Sequence, residues 1–190
     1  MRRAILGAVA LLVSAASAIA CGTERWPVKT GADRDAGSVK NFPTPTTIAQ
    51  LASILAPIHP ERRRSSRFAP TELTTVQISG VLTVIKREAD EDYHLVIADP
   101  ADPRVTMIVE APDPNCASGS LFLDNISFVR RTLDQRFGEI GRLEPKMPVT
   151  VTGVAFFDTL HGQEGVAPNG IELHPILAIA LQEPDRPATN

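Results

Sequence analysis

The pattern of apolar and polar positions changes at Glu72. From there to Lys86 the sequence ELTTVQISGVLTVIK alternates apolar and polar residues, which is the period of a strand with one buried face. Four later segments also have strand character: YHLVIAD (93–99), RVTMIVEA (104–111), PVTVTGVAFFD (148–158) and IELHPILAIAL (171–181). Between the third and fourth of these five strands, DNISFVRRTLDQRF (124–137) has apolar residues at helical spacing. The predicted order is therefore β-β-β-α-β-β.

This order predicts a mainly β fold, a five-stranded OB-like barrel with one bridging helix. Five strands cannot form a stable open sheet with both faces in water, so we expect the sheet to close around a core. In an OB-fold a helix commonly joins strands three and four. Gly80 and Gly153 each interrupt a strand and indicate bends in the barrel. The segment TTIAQLASILAP (46–57) predicts a short packing helix before the barrel.

The first twenty residues have the pattern of an export signal peptide. Arg2 and Arg3 precede the apolar run AILGAVALLV (4–13), and small residues SAIA end the segment. The run is too short for a membrane span, which needs about 20 residues. The domain prediction is a signal peptide (1–20), a flexible tether (21–45), a short helix with a basic loop (46–66), an OB-like barrel (67–182) and a disordered tail (183–190).

Cys21 allows two hypotheses. The sequence AIAC resembles a degenerate bacterial lipobox, in which Cys21 is acylated and holds the protein to a membrane, and the tether-like composition after it favours this hypothesis. Alternatively, a disulfide between Cys21 and Cys116, the two cysteines of the chain, joins the tether to the barrel. The expected location is the cell envelope in both cases, as a lipoprotein facing the periplasm or the exterior or as a soluble periplasmic or secreted protein.

The charge balance narrows the expected partners. The chain has 19 basic and 22 acidic residues, and without residues 1–20 it loses two arginines, which leaves 17 against 22. A nucleic-acid-binding protein usually carries a basic face, so a nucleic-acid partner is not expected. The basic stretch Arg62, Arg63, Arg64 and Arg67 favours a solvated loop over a patch for phosphate or acidic lipid.

The other candidate functional residues lie in and beside two loops, READED (87–92) and TLHGQEGVAPNG (159–170). In an OB barrel the corresponding loops border the usual ligand face. We expect one rim site for a small polar ligand, a glycan or an envelope protein, formed by Asp92, Tyr93, His94, Asp158, His161, Glu172 and His174. Imidazole and carboxylate groups suit Zn²⁺ or another divalent metal, with His161, Glu172 and His174 as candidate ligands. The alternative is that these groups only form structural hydrogen bonds.

Motifs of known enzyme classes are missing from the sequence. It contains no G-x-S-x-G, no H-E-x-x-H, no phosphate-binding glycine loop and no G-x-G-x-x-G. A binding module is therefore favoured over an enzyme. The alternative is a metal-assisted hydrolase, such as a phosphodiesterase or nuclease, in which the His, Asp and Glu groups activate water.

Two sequence blocks carry a resemblance to a family. KREADEDYHLVIADP, followed by MIVEAPDPNC, and VTGVAFFDTLHGQEGVAPNGIELHPIL resemble a group of exported bacterial OB-fold-like proteins that share a D-x-D-Y-H-L-V-I strand and an F-F-D-x-x-H-G-Q-x-G-x-A-x-N-G-I-E-L-H-P block. The resemblance covers roughly residues 67–180, departs from the family pattern at Glu91, where glycine is more usual, and implies no particular activity. The expected fold is also similar to that of micrococcal-type nucleases. The residues with roughly suitable places for nuclease chemistry are Asp92, Glu110 and Arg104. The spaced nuclease motif is missing, however, and a similar fold does not by itself imply the same activity.

Overall fold

The computed structural model describes residues 21–182, and its centre is a closed barrel of five strands. The barrel strands are β2 (Thr75–Arg87), β3 (Tyr93–Ala98), β4 (Thr106–Ala111), β6 (Met147–Phe157) and β7 (Ile171–Leu181). They pair in the order β2-β3-β4-β7-β6, and β6 pairs again with β2 to close the barrel. The β4–β7 pair is parallel, and the other pairs in the barrel are antiparallel. This confirms the predicted OB-like barrel.

Short elements complete the sheet and cover its ends. Strands β1 (Thr44–Pro45) and β5 (Arg142–Leu143) both pair with β2. The helices are α1 (Trp26–Thr30), α2 (Ile48–Ala52) and α3 (Leu123–Phe137), and 3₁₀ turns lie at Ala36–Ser38, Pro60–Arg62, Thr71–Leu73 and Pro114–Cys116. Helix α3 is the predicted bridging helix, and it buries Ile126, Val129 and Leu133. Helix α2 is the predicted packing helix and begins with a capping box between Thr47 and Gln50.

The two strand glycines lie where another part of the backbone approaches closely. A Cβ atom on Gly80 would lie 2.5 Å from Ile97 Cγ2 and 2.6 Å from the carbonyl oxygen of Ala98. A Cβ atom on Gly153 would lie 2.9 Å from Leu173 Cβ, and the register between β6 and β7 shifts on both sides of this residue. Both positions therefore require glycine for close packing in a barrel that curves tightly.

The prediction of a flexible tether over residues 21–45 is wrong, because this segment packs on the outside of the barrel. Arg25 is 2% exposed, and its guanidinium forms a bidentate ion pair with Glu72 at 2.7 and 2.8 Å. Asp33 forms a second buried pair with Arg67 at 2.7 Å. The charged residues that gave the segment its polar composition are therefore the groups that fix it to the barrel. We call residues 21–38 the N-terminal segment.

A disulfide bond also holds the N-terminal segment in place. Cys21 is bonded to Cys116, 95 positions later, with 5.4 Å between their Cα atoms. The indole Nε1 of Trp26 donates a hydrogen bond to the carbonyl oxygen of Cys116 at 2.9 Å. A sulfur atom in a disulfide cannot also carry a thioether-linked lipid. The structure thus contains the second of the two alternatives for Cys21, and the lipid anchor on Cys21 does not fit this bond.

The predicted export signal (1–20) and the predicted disordered tail (183–190) lie outside the described residues. Between Cys21 and Gln182, none of the helices combines the length and the apolar character needed to cross a bilayer.

Candidate functional site

Strand alternation places a set of charged side chains on the outer face of the barrel. His94 on β3 pairs with Glu110 on β4. The parallel β4–β7 register sets Ile108 beside Glu172, which brings Glu110 next to His174 two residues further along. Their neighbours in sequence, Leu95, Val109 and Leu173, point into the barrel core. The charged groups therefore form one row across three strands, underneath the N-terminal segment.

His174 lies at the centre of this row and has carboxylates at both ring nitrogens. Its Nδ1 is 3.0 Å from Glu110 and 3.2 Å from Glu172, and its Nε2 is 3.5 Å from Asp92 Oδ2. Burial of the ring lowers the pKa of His174, but the three carboxylates around it outweigh burial and raise that pKa well above its ordinary value. The carboxylates favour an imidazolium whose Nδ1 is engaged by Glu110 and Glu172, while Nε2 has no hydrogen-bond partner within residues 21–182.

His94 is also surrounded by acceptors. Its Nδ1 is 3.0 Å from Glu110 Oε1, and its Nε2 is 2.9 Å from the carbonyl oxygen of Glu164. A carbonyl oxygen only accepts hydrogen bonds, so Nε2 carries a proton, and the carboxylate favours a proton on Nδ1 as well. Burial opposes the charge on His94, but the bond to Glu110 raises its pKa. Glu110, held between two imidazoliums, has its pKa well below the ordinary range although burial acts in the other direction.

Lys29 of α1 brings a third cation to the row. Its Nζ lies 3.3 Å from Asp158 Oδ2 and 5.5 Å from the centre of the Phe156 ring. Burial lowers the pKa of Lys29, but the negative charges of Glu172, Glu110 and Asp158 raise it overall. In Glu172 a raised pKa favours the neutral form of the side chain. Burial and the charges of Asp158 and Glu110 raise its pKa to about 7. Glu172 therefore exchanges a proton near neutral pH.

These shifts predict how the stability of the fold depends on pH. The raised pKa of Glu172, from 4.5 to about 7, gives stability that is complete below pH 4.5 and is lost as the pH rises to about 7. The raised pKa values of His94 and His174 act in the same direction, since their contribution is complete below 6.5 and is lost as the pH rises through their pKa values in the folded protein. The lowered pKa of Glu110 contributes stability above 4.5 that is lost in acid. The gain from Glu110 and the loss from Glu172 balance near pH 4.5, so the stability maximum is expected there and stability should decline from there to neutral pH.

A hollow opens beside this row, between the β2–β3 loop and the β6–β7 loop. Its volume is about 280 Å³, and it adjoins a second depression of about 380 Å³ near Cys21 and Trp26. We call the first the acidic hollow; it is lined by Lys29, Glu88, Ala89, Asp90, His94, Ile108, Glu110, Asp158, His161, Gln163 and Glu172. Five of these residues are acids and three are bases. Asp158 Oδ1 is buried in this wall and accepts no hydrogen bond from any residue between Cys21 and Gln182.

Most of the predicted site residues come together here, but not all of them line the hollow. His94, Asp158, His161 and Glu172 do, with His161 exposed at the rim. Asp92 and His174, 1% and 0% exposed, lie behind the wall and support Glu110 and Glu172. Four of the predicted residues thus lie at the surface of the hollow and two lie behind it.

The prediction that Tyr93 belongs to this site is wrong. Tyr93 precedes His94 in the same strand, so its side chain points to the opposite face. Its hydroxyl donates to Asp134 of α3 at 2.7 Å, and the guanidinium of Arg130 lies 3.4 Å from the centre of its ring. Tyr93 connects the barrel to α3.

Lys29 was not among the predicted site residues, and Glu110 was named only for the nuclease-like arrangement and not for the rim site. Lys29 belongs to the segment that was predicted to be a tether, and nothing in its neighbouring sequence indicates contact with a strand more than a hundred positions later. The sequence around Glu110 does indicate a paired charge. Glu110 is a carboxylate in the otherwise apolar strand sequence MIVEA, and a charged side chain in a buried strand is usually paired with an opposite charge.

One group of carboxylate and imidazole atoms in the row lies close enough together to be a possible metal site, although its two carboxylates lie at different nitrogens of the histidine. Among residues 21–182, the His, Cys, Asp and Glu side chains with possible ligand atoms within 4.8 Å of one another are Asp92, Glu110 and His174. Asp92 faces Nε2 of His174, whereas Glu110 faces Nδ1, and the lone pairs of the two nitrogens point in different directions. In this arrangement Nδ1 of His174 is engaged by carboxylates, whereas Nε2 makes no hydrogen bond to any of residues 21–182. Of the predicted ligands, Glu172 contacts His174, while His161 lies at the exposed rim.

The nuclease-like arrangement is not assembled either. Asp92 and Glu110 both lie near His174, but Arg104 is in the turn before β4. There it is 89% exposed and forms an ion pair with Asp102 at 2.8 Å. Glu110 lies near the other end of β4, so this arginine and the two carboxylates do not face a common substrate position.

Comparisons with known proteins give little information about this site. No protein-family model matches the chain. No curated protein matches it either. One solved structure that is similar to this chain is described as an aspartyl-tRNA synthetase from Leishmania major Friedlin. The two sequences are 12% identical, and the TM-score is 0.41. The match covers 75% of this chain and 21% of that chain. A score this low supports no statement about function, and the chain spans about a fifth of that protein's length.

Proposed function

We propose that this chain is an OB-like binding module that holds a small cationic ligand in the acidic hollow. The observation that carries the proposal is the wall of the hollow, where five carboxylates face three bases and Asp158 Oδ1 is buried without a partner. A buried carboxylate oxygen that accepts no hydrogen bond is costly, by about 1–3 kcal/mol. This oxygen is covered by protein atoms, so a ligand removes the cost by turning the Asp158 carboxylate toward the hollow and donating to it.

The charges already paired around the hollow favour a cation over an anion or a neutral glycan. The positive charges of Lys29 and His94 are engaged by Asp158 and Glu110, and Lys86 lies 2.8 Å from Glu88. Asp90 lines both depressions and forms no ion pair among the described residues. An ammonium or guanidinium group, or a divalent cation, would therefore find Asp90 and the free oxygen of Asp158. The volume lies at the small end of ligand sites, which start at about 300 Å³.

A thermal-shift screen tests the proposal. Agmatine, putrescine, Zn²⁺ and Mn²⁺ are added separately to the protein near neutral pH, with phosphate and acetate as anionic comparisons. We expect at least one cation to raise the melting temperature, and neither anion to do so. Asp158→Asn should remove that shift, whereas Asp124→Asn, which changes an exposed carboxylate on α3, should keep it. Stabilisation by phosphate instead of any cation would overturn the proposal.

One observation favours a second function, a hydrolase. Glu172 lies in the wall of the hollow with its pKa raised to about 7, which is the range in which a carboxyl group acts as a general acid or base. The test is hydrolysis of aryl phosphodiesters and aryl esters, with and without Zn²⁺ or Mn²⁺, by the wild type and by Glu172→Gln. Turnover that is lost in Glu172→Gln, with the melting temperature retained, would place the hydrolase ahead of the binding module.

We infer that the protein works outside the cytosol, in the cell envelope or beyond it. The support is the signal-like pattern of residues 1–20 together with the Cys21–Cys116 disulfide, because disulfides persist in oxidising compartments. The test is cell fractionation followed by alkylation of free thiols. An exported protein without lipid on Cys21 and without free thiols is expected. A membrane-bound form in which Cys21 carries lipid and Cys116 reacts with the alkylating agent would contradict the inference.

A further inference from the structure

The loop between α2 and the barrel combines exposed aliphatic and basic side chains. Leu55 is 92% exposed and Ile58 is 86% exposed, so their side chains have almost no protein neighbours. Three consecutive exposed arginines follow in Arg62, Arg63 and Arg64. We call residues 55–64 the aliphatic–basic loop. Single exposed apolar residues are common on protein surfaces, but two such residues beside a basic run are typical of membrane-binding surfaces.

The positive charge of this loop is only partly neutralised. Residues 55–66 contain three arginines and one acid, Glu61, which gives a net charge of +2 with the histidine neutral. Glu61 contacts His59 at 3.1 Å and lies 3.9 Å from Arg62, whose side chain is 73% exposed. Arg63 packs on the ring of Phe68 at 4.3 Å. Within this loop, Arg62 and Arg64 are therefore the arginines that face water. Their positive charge contrasts with the net negative charge of the chain as a whole.

The loop lies beside the start of the described chain. Arg25 Nε donates to the carbonyl oxygen of Arg63 at 3.0 Å, and Thr23, Glu24, Glu61 and Arg64 line a common depression.

We propose that the aliphatic–basic loop is a docking surface for an anionic lipid bilayer. Arg62 and Arg64 would contact lipid phosphates, and Leu55 and Ile58 would enter the boundary between headgroups and acyl chains. Aliphatic insertion and arginine–phosphate attraction each give weak binding, and two such contributions together give useful affinity. This surface is separate from the acidic hollow, so it depends neither on the ligand proposed there nor on its chemistry.

Vesicle sedimentation tests this proposal with the chain from Cys21 onwards, which contains all of the described fold and lacks the apolar run. We expect sedimentation with phosphatidylcholine vesicles that contain one part in four of phosphatidylglycerol, and none with pure phosphatidylcholine. Arg62→Glu combined with Arg64→Glu should lower the partition coefficient at least tenfold, since each arginine near an anionic surface contributes a factor of about five. Leu55→Ser with Ile58→Ser should also lower it, although the charges remain.

Matched controls come from α3, where Arg131 and Phe128 are exposed. Arg131→Glu and Phe128→Ser change the same kinds of side chain elsewhere and should leave the partition coefficient within a factor of two of the wild type. All four variants alter exposed positions, so their melting temperatures should match the wild type. Absence of sedimentation with the anionic vesicles would overturn the proposal. Sedimentation that the loop variants leave unchanged would overturn it as well.

Discussion

The buried ion pair between Arg25 and Glu72 should be the strongest single attachment of the N-terminal segment to the barrel. Both side chains are fully buried. The two carboxylate oxygens of Glu72 accept from the guanidinium and from the backbone N–H groups of Phe68 and Phe157 at 2.7 and 2.9 Å. Glu72→Gln keeps the shape of the side chain but removes its charge and turns one acceptor into a donor that faces other donors. The guanidinium is then left buried without a counter-charge.

Loss of one partner of a buried ion pair lowers the free energy of unfolding by about 3–5 kcal/mol. We expect this for Glu72→Gln, and also for Arg25→Met, which leaves the carboxylate unpaired and removes the donor to the carbonyl oxygens of Arg63, Ser66 and Phe157. The double variant removes both charges. Its loss should be no greater than that of the worse single variant, because the uncompensated charge disappears.

Urea unfolding of the four proteins measures these free energies, and hydrogen exchange of α1 reports whether the N-terminal segment opens first. Arg104→Met is the control, since it breaks an ion pair that is exposed to water, and its unfolding midpoint should match that of the wild type. Losses below about 1 kcal/mol in both single variants, or a double variant whose loss is the sum of the two, would refute the reasoning.

Three further changes test other parts of the fold. The decline in stability between pH 4.5 and about 7 should flatten in Glu172→Gln, because a neutral side chain removes the loss of about 3 kcal/mol that accompanies ionisation of Glu172. Urea midpoints measured across this pH range test the prediction, and an unchanged slope would contradict it. Gly80→Val and Gly153→Val should each lower the free energy of unfolding by about 1–3 kcal/mol through overpacking, whereas unchanged midpoints would mean that the close approaches are absent. Cys116→Ser should cost about 2–5 kcal/mol by opening the 95-residue loop, and a variant as stable as the wild type would show that the disulfide does not form.

The barrel could be predicted from the sequence because its signals are local. Alternation along each strand, one helix of three to four turns and two mid-strand glycines are properties of neighbouring residues, and β2, β3, β4, β6 and β7 all lie where the pattern indicates. The close approaches at Gly80 and Gly153 could be predicted for the same reason. A glycine inside an apolar strand usually marks a bulge, a bend or a site where backbone approaches closely.

The N-terminal segment could not be predicted in this way. Arg25 and Lys29 stand in a polar stretch, and their partners Glu72 and Asp158 lie 47 and 129 positions away. Composition reports how many charges a segment has, but it does not report whether those charges are buried and paired. The same limit applies to the site. The His and Glu residues of the second block were found because they are dense in the sequence, whereas Lys29 and Glu110 reach them only through the fold.

The most direct test of the central proposal is calorimetric titration of agmatine, putrescine and Zn²⁺ into the wild type and Asp158→Asn near neutral pH. The acidic hollow predicts saturable binding of one equivalent of at least one of these cations. Binding should weaken by about tenfold or more in Asp158→Asn, since a hydrogen bond to a charged group contributes about 1.5–3 kcal/mol. No heat from any of the three cations, or binding of equal strength in both proteins, would contradict the proposal that the hollow is a cation site.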